Sequence, residues 1–151
     1  LGDMTNAEIK FKDAISIKPQ APEAHYNLAS LYGSLGKHIE ASKEFDISAK
    51  LFIGHVNGPP HQFYLDKART HNQAGITYIN SKKYEKALQQ FEKSVKQNPK
   101  LLEARFNLAK LLLELKDDKV QTAIHLKEAL KLNPTPSQAQ VLQNLLTQAG
   151  Q

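Results

Sequence analysis

The chain has 151 residues, of which 40% are hydrophobic and 23% are charged, and its formal net charge is +5. This composition is typical of a folded domain with its own core, and the absence of cysteine excludes disulfides, cysteine-rich zinc sites and thiol catalysis. Lysines are interspersed with acids, and no basic block carries interleaved aromatics, so nucleic acid is not expected as a partner. No apolar run reaches the length of a membrane span.

Apolar residues recur at helical spacing along nearly the whole chain, and no segment alternates as a strand does, so the sequence predicts an all-α fold. A single clear loop, at residues 54–60, is dense in glycine and proline. In chain order the expected helices cover residues 5–18, 22–35, 39–52, 60–80, 84–97, 101–115, 120–132 and 136–150.

A fixed period runs through these helices. Small and aromatic residues four positions apart recur 34 residues later, and then 46 residues later: Ala7 with Phe11, Ala41 with Phe45, and Ala87 with Phe91. The longer interval equals the shorter one plus an insertion of 12 residues. A period in this range indicates stacked supersecondary units, which more often hold a partner than transform a substrate.

The residues at corresponding positions of each unit resemble the tetratricopeptide repeat signature W-x2-L-G-x2-Y…A-x3-F…P. In one unit the slots hold His25, Leu28, Ala29, Tyr32, Ala41 and Phe45. In the next they hold His71, Ala74, Gly75, Tyr78, Ala87, Phe91 and Pro99. In the last they hold Arg105, Leu108, Ala109, Leu112, Thr122, Leu126 and Pro134.

The resemblance implies a single domain, a right-handed α-solenoid of about 3.5 helix-turn-helix repeats with a C-terminal capping helix. Its expected parts are the second helix of a truncated repeat (1–21), full repeats (22–53, 68–101 and 102–134), an insertion with a helix extension (54–67) and the capping helix (135–151). The truncated first repeat would leave Ile9, Phe11 and Ile15 partly uncovered or paired with another molecule.

The resemblance also implies a concave groove lined by the first helix of each repeat. The expected peptide- or partner-binding residues are Tyr26, Asn27, Ser30, Arg69, Asn72, Gln73, Ile76, Phe106, Asn107 and Lys110. Three of their amides resemble the asparagine ladder in the repeat region of the protein O-linked N-acetylglucosamine transferase: Asn27, Gln73 and Asn107. Such a ladder can pair with a peptide backbone, because each amide offers both donors and an acceptor. The alternative is that these amides only bond neighbouring helices.

Catalytic and metal-binding patterns are missing from the sequence: there is no nucleophile elbow, P-loop, dinucleotide fingerprint or H-E-x-x-H motif. We therefore expect no catalytic residue, no cofactor and no metal. His25 and His71 occupy the large aromatic slot and are expected to pack, whereas His55 and His61 have no ligand spacing. The two remaining histidines are expected at the surface: His38 and His125.

Two further features leave alternatives open. Phe63 and Tyr64 are expected to fold back onto Phe52 and Ile53 and seal the widened repeat junction, and an exposed partner surface is the alternative. Lysines are frequent over residues 82–100, where a solvated face is expected and an acidic partner or membrane surface is the alternative.

The sequence thus predicts a non-catalytic protein–protein interaction scaffold that binds a peptide segment or a partner helix. One alternative is a structural assembly subunit that self-associates through the exposed N-terminal helix or tethers a larger complex. Another is the repeat arm of a larger enzyme. The partner, the organism and the compartment stay open.

Overall fold

The computed structural model describes residues 2–52 and 61–150, and over these residues it contains helices and no strand. The predicted all-α class is confirmed, and the helix boundaries agree with the expected ones within three residues. The helices are α1 (Gly2–Ile17), α2 (Pro22–Ser34), α3 (His38–Leu51), α4 (His61–Asn80), α5 (Tyr84–Gln97), α6 (Leu102–Lys116), α7 (Lys119–Leu130) and α8 (Pro136–Ala149).

Local sequence signals set the helix ends. Pro22 and Pro136 lie in the first turns of α2 and α8, where proline needs no backbone N–H. Thr135 and Gln138 form a reciprocal capping box at the start of α8. The turns after α2, α4, α6 and α7 each contain a residue with positive φ: Gly36, Lys82, Asp117 and Asn133. A left-handed residue there ends a helix tightly and reverses the chain.

The chain divides into two compact units, residues 1–70 and 71–151, and the division falls inside α4. In the first unit α1 packs on α2 and α2 packs on α3. One buried cluster joins Leu28, Tyr32 and Ala41 to the half-buried Phe11 and Ile15 of α1. Ile9 is 52% exposed, so α1 is partly covered.

The second cluster of the first unit is built from aromatic side chains. Phe63, at the start of α4, is fully buried, and its ring centroid lies 5.6 Å from those of Phe45 and Phe52. The expected inward packing of Phe63 is confirmed, although Ile53 lies outside the described residues. Tyr64 stays 40% exposed and meets the Phe63 ring edge-on. Burying a side chain as large as Phe63 contributes about 1.5–3 kcal/mol.

In the second unit α5 packs on α6, α6 on α7, and α7 on α8. The core has two clusters, of which one is Ala87, Leu88, Phe91, Leu108, Leu111 and Leu112, and the other is Ala109, Leu126, Ala129 and Leu142. The small residues of the repeat pattern are buried to 0% exposure at Ala87 and Ala109. Their size lets neighbouring helices approach while the large residues fill the remaining space.

Candidate functional site

The second unit carries a concave surface centred on Phe106. Three adjoining cavities of about 350, 470 and 250 Å³ all include this side chain. The walls come from the C-terminal part of α4, from Tyr84 at the start of α5, from α6 and from α8. We call this surface the central groove and define it by Asn72, Gln73, Ile76, Glu103, Phe106, Asn107, Lys110, Glu114, Gln138 and Val141.

Six of the ten residues predicted to bind a partner lie together in the central groove: Asn72, Gln73, Ile76, Phe106, Asn107 and Lys110. Positions 72, 73 and 76 lie on one face of α4, and positions 106, 107 and 110 lie on one face of α6, because residues three or four apart share a helix face. The structure therefore brings these six side chains to one surface. Their binding role stays a prediction.

The other four predicted residues belong to the first unit. Asn27, Ser30 and Arg69 are exposed. Tyr26 is half-buried, and its hydroxyl donates a hydrogen bond to Asp66 Oδ2 at 3.1 Å. Burial raises the pKa of Tyr26, and the negative charge of Asp66 raises it further, so the hydroxyl stays a donor. Because Asn27 lies in a different unit from Gln73 and Asn107, the continuous amide ladder stays a prediction.

Two amides of the central groove are joined to each other. Asn107 Nδ2 on α6 donates a hydrogen bond of 2.9 Å to Asn72 Oδ1 on α4. Asn72 is only 5% exposed, whereas Asn107 is half-buried. Asn107 thus makes the helix–helix bond that the sequence left as the alternative to a ladder. This bond uses one of its two N–H groups, so the second N–H and the carbonyl oxygen can still serve a ligand.

The sequence reasoning missed the contribution of α8 to the central groove. Gln138 and Val141 line the same cavity as Phe106, and Val141 is 49% exposed. Val141 stands 35 positions after Phe106, the same interval that separates Pro99 from Pro134 in the repeat pattern. Continuing the repeat register through the capping helix would have placed Val141 in the groove.

The charges of the central groove are few. Lys110 Nζ lies 3.9 Å from Glu114 Oε1, and both side chains are more than half exposed, so this pair contributes little to stability. Glu103 adds a second carboxylate to the lining. With one ammonium group among these residues, the groove lacks the cluster of cations that would grip a free carboxylate.

The residue at the large aromatic position of each repeat contacts a polar side chain on the second helix of that repeat. His25 Nδ1 lies 2.7 Å from Glu44, and His71 Nδ1 lies 2.8 Å from Gln90. Both histidines are buried, at 6% and 0% exposure, which confirms their predicted packing role. Residues in the same positions of the last repeat form the third pair: Arg105 and His125, at 3.4 Å.

His38 and His125, both expected at the surface, are each half-buried. The His125 side chain packs against Arg105 on the neighbouring helix. Burial lowers the pKa of His125, and the positive charge of Arg105 lowers it further. A lowered pKa favours the neutral ring, whose Nδ1 can accept a hydrogen bond from the guanidinium group.

Residues 2–52 and 61–150 contain neither a cluster of metal ligands nor a membrane-spanning helix. Among these residues no group of three His, Asp or Glu side chains is close enough to hold a metal ion. No helix in the described ranges has the length and apolar character of a membrane span. His55 and the side chain of His61 lie outside the described part of the chain.

The paired helices, with small residues facing aromatic ones at a fixed period, define a helical repeat protein. Tetratricopeptide repeat family models match residues 22–46 and 68–101. These matches identify two tetratricopeptide repeats in the chain, one in each compact unit apart from the first residues of the second match. No curated protein matches the chain.

Solved structures with the same fold include several of low sequence identity. A MamA RS-1 ArsTM double mutant is 20% identical with a TM-score of 0.59, and the match covers 99% of this chain and 80% of that one. Yeast Tom70 is 20% identical with a TM-score of 0.55, covering 93% of this chain and 28% of that one. The Yersinia enterocolitica type III secretion chaperone SycD, in complex with a peptide of the translocator YopD, is 20% identical with a TM-score of 0.50, covering 85% and 91%. At these identities the likeness shows the fold alone.

Proposed function

We propose that this protein is a protein–protein interaction adaptor that binds a peptide segment or a partner helix in the central groove. The observation that carries the proposal is the arrangement of Phe106, Ile76 and Val141 as an apolar floor beside the amides of Gln73 and Asn107. Binding sites typically combine such an apolar surface with a few placed polar groups. Stacked helical repeats use concave surfaces of this kind to hold partners.

The amides would recognise the partner's backbone. Gln73 is exposed, and Asn107 retains a donor and an acceptor beyond its bond to Asn72. Backbone recognition of this kind is tolerant of sequence, so the apolar floor would select the side chains. Asn72 is almost buried, and we assign it the role of positioning Asn107 rather than of direct contact.

The first-unit residues complete the proposed contact set: Tyr26, Asn27, Ser30 and Arg69. Asn27 is exposed in the first unit, and its amide offers a peptide backbone both donors and an acceptor. Asn27→Ala should then weaken binding of a display-selected peptide. Unchanged binding by this variant would remove the first-unit residues from the proposed contact set.

The proposal gains support from a protein of the same fold. SycD was solved with a bound translocator peptide, which shows that this architecture can hold a peptide in that protein. The central groove is formed by the same kind of helix pairs. Because the shared fold does not identify the ligand of this chain, the test begins by selecting a peptide that binds it.

A selection from a random peptide display library, followed by calorimetric titration of the selected peptide, tests the proposal. Phe106→Ala and Gln73→Ala should each weaken binding, the first by about tenfold or more, which is about 1.4 kcal/mol. Matched controls remove an exposed isoleucine on α7 and an exposed glutamine on α5: Ile124→Ala and Gln89→Ala. If the controls weaken binding as much as the groove variants, the proposed site is wrong.

Self-association is the alternative function, and α1 provides the observation that favours it. Ile9 is 52% and Ile17 is 84% exposed on this helix. Light scattering over a range of concentrations separates the two functions. A constant mass near 16.9 kDa is expected for the adaptor, and a mass that rises to defined multiples would favour the assembly subunit.

A further inference from the structure

The net charge of the chain is confined to the second unit. Residues 1–70 hold eight basic and eight acidic side chains, whereas residues 71–151 hold twelve basic and seven acidic ones. Residues 82–100 alone carry six lysines and two glutamates, a net charge of +4. Such asymmetry between the two halves of a chain indicates an anionic partner for the charged half.

Three of these lysines lie on α5, and two more lie in its flanking turns. We call them the lysine stripe: Lys82, Lys86, Lys93, Lys96 and Lys100. The three within α5 fall inside an arc of roughly 80° at 100° per residue. The buried residues of α5 are Ala87, Leu88, Phe91 and Ser94, and they lie on the opposite face. All five stripe lysines are exposed, and none lines the central groove.

Like charges at this spacing repel one another. Lys93 and Lys96 are three residues apart within α5, whereas Lys82 and Lys100 lie in the turns that flank this helix. A same-sign pair at this separation on a helix destabilises it slightly. An anionic partner laid along α5 would relieve this repulsion and gain several charge contacts at once.

We propose that the lysine stripe binds an acidic segment of a partner protein, at a surface separate from the central groove. The stripe contains only lysines, which act as flexible point charges, whereas phosphate recognition favours the planar fork of arginine. Gln89 occupies the middle of the stripe, and no aromatic residue stands there to stack on a base. No apolar side chain of the stripe could enter a lipid surface.

The acidic neighbours of the stripe also fit a protein partner. Glu85 forms an ion pair with Lys116 of α6 at 2.7 Å. It therefore competes little with an incoming carboxylate for the lysines of the stripe. Glu92 lies at the border of the stripe. A polypeptide can place a neutral or basic residue against Glu92, whereas a uniformly charged polymer cannot, and this difference would set the register of the bound segment.

Fluorescence anisotropy of a labelled glutamate-rich peptide that carries one central glycine, titrated with the whole chain, tests this proposal. The stripe variant combines Lys86→Gln, Lys96→Gln and Lys100→Gln. The matched control combines Lys10→Gln, Lys43→Gln and Lys50→Gln, all exposed lysines of the first unit. Both variants lower the net charge from +5 to +2, so a difference between them reports position and not total charge. Circular dichroism checks that both remain helical.

The stripe variant should bind the peptide about tenfold more weakly than the wild type, and the control should bind nearly as the wild type does. Added salt should weaken wild-type binding, because exposed charges are screened. Equal loss in both variants would overturn the proposal. So would binding of RNA or of phosphatidylserine vesicles without binding of the peptide. Binding of the groove ligand should be the same in the stripe variant and the wild type.

Discussion

Gly75 of α4 lies directly against the ring of Phe91 of α5. A Cβ atom built on Gly75 would lie 2.5 Å from Phe91 Cε1 and 2.7 Å from Cδ1, well inside van der Waals contact. Phe91 is fully buried, so its ring has little room to move. The position equivalent to Gly75 in the preceding repeat is Ala29, which shares a buried cluster with Phe45. The Phe91 ring of α5 thus fills the space that a side chain at position 75 of α4 would need.

Gly75→Ala should therefore destabilise the protein although alanine is the better helix former. Overpacking of a filled core costs about 1–3 kcal/mol, which exceeds the gain of about 1 kcal/mol in helix propensity. Gly33→Ala is the matched control, because a Cβ there would lie 3.8 Å from Thr70 Oγ1 in ordinary contact. In urea denaturation, Gly75→Ala should lower the free energy of unfolding, whereas Gly33→Ala should raise it or leave it unchanged. A stabilising Gly75→Ala would contradict the described packing.

The Asn72–Asn107 hydrogen bond should be measurable as a coupling free energy. Asn107→Ala leaves the nearly buried carboxamide of Asn72 without this donor, and an unsatisfied buried group costs about 1–3 kcal/mol. Asn72→Ala should cost a similar amount, and the double variant should cost less than the sum of the two. Strict additivity in a double-mutant cycle would show that the two amides do not interact in solution.

Phe63→Ala should be among the most damaging substitutions in the first unit. The ring is fully buried and contacts the rings of Tyr26, Phe45 and Phe52, so its removal should cost about 3–5 kcal/mol. Tyr64→Ala, at a 40% exposed neighbour, serves as the control and should cost clearly less. Equal losses in thermal denaturation would show that Phe63 does not seal the junction.

Much of the fold could be predicted from the sequence because the same packing positions recur in successive repeats. The slots occupied by Ala87 and Phe91 recur in several units, so each unit supports the assignment of the others. The two prolines at positions 22 and 136 and the capping residue Thr135 mark helix starts locally. These signals act over a few residues, and helix boundaries followed from them.

The details of the candidate site depended on contacts between helices that no short-range signal encodes. The pattern places Asn72 and Asn107 on helix faces, but their shared hydrogen bond depends on the separation of α4 and α6. The half-burial of His125 likewise depends on Arg105, which lies on another helix. Val141 was missed because the capping helix was read as an end and not as a continuation of the repeat register.

The acid stability of the first unit should depend on Glu8. The Lys12 ammonium at 2.7 Å, the Lys37 ammonium at 3.2 Å and the Tyr32 hydroxyl lower the pKa of Glu8 to about 2 from its usual value of 4.5. Because the folded state holds the charged form, its stabilisation is fully present above about pH 4.5 and is lost as the pH falls through about 2.

Glu8→Gln should consequently reduce stability at neutral pH, and its difference from the wild type should shrink as the pH falls from about 4.5 to about 2. Urea denaturation across this range gives the comparison. The exposed Glu40 provides the control, and Glu40→Gln should leave the pH profile nearly unchanged. A Glu8→Gln profile parallel to that of the wild type would show that the Glu8 contacts are absent in solution.

The central claim is that the groove around Phe106 holds the partner. The most direct measurement is a titration of the isotopically labelled chain with a display-selected peptide, followed by amide chemical shifts. The account predicts shifts concentrated at residues 72–76, 103–110 and 138–141, with saturation at one peptide per chain. Shifts confined to α1, or to the outward face of α5 or α7, would contradict it.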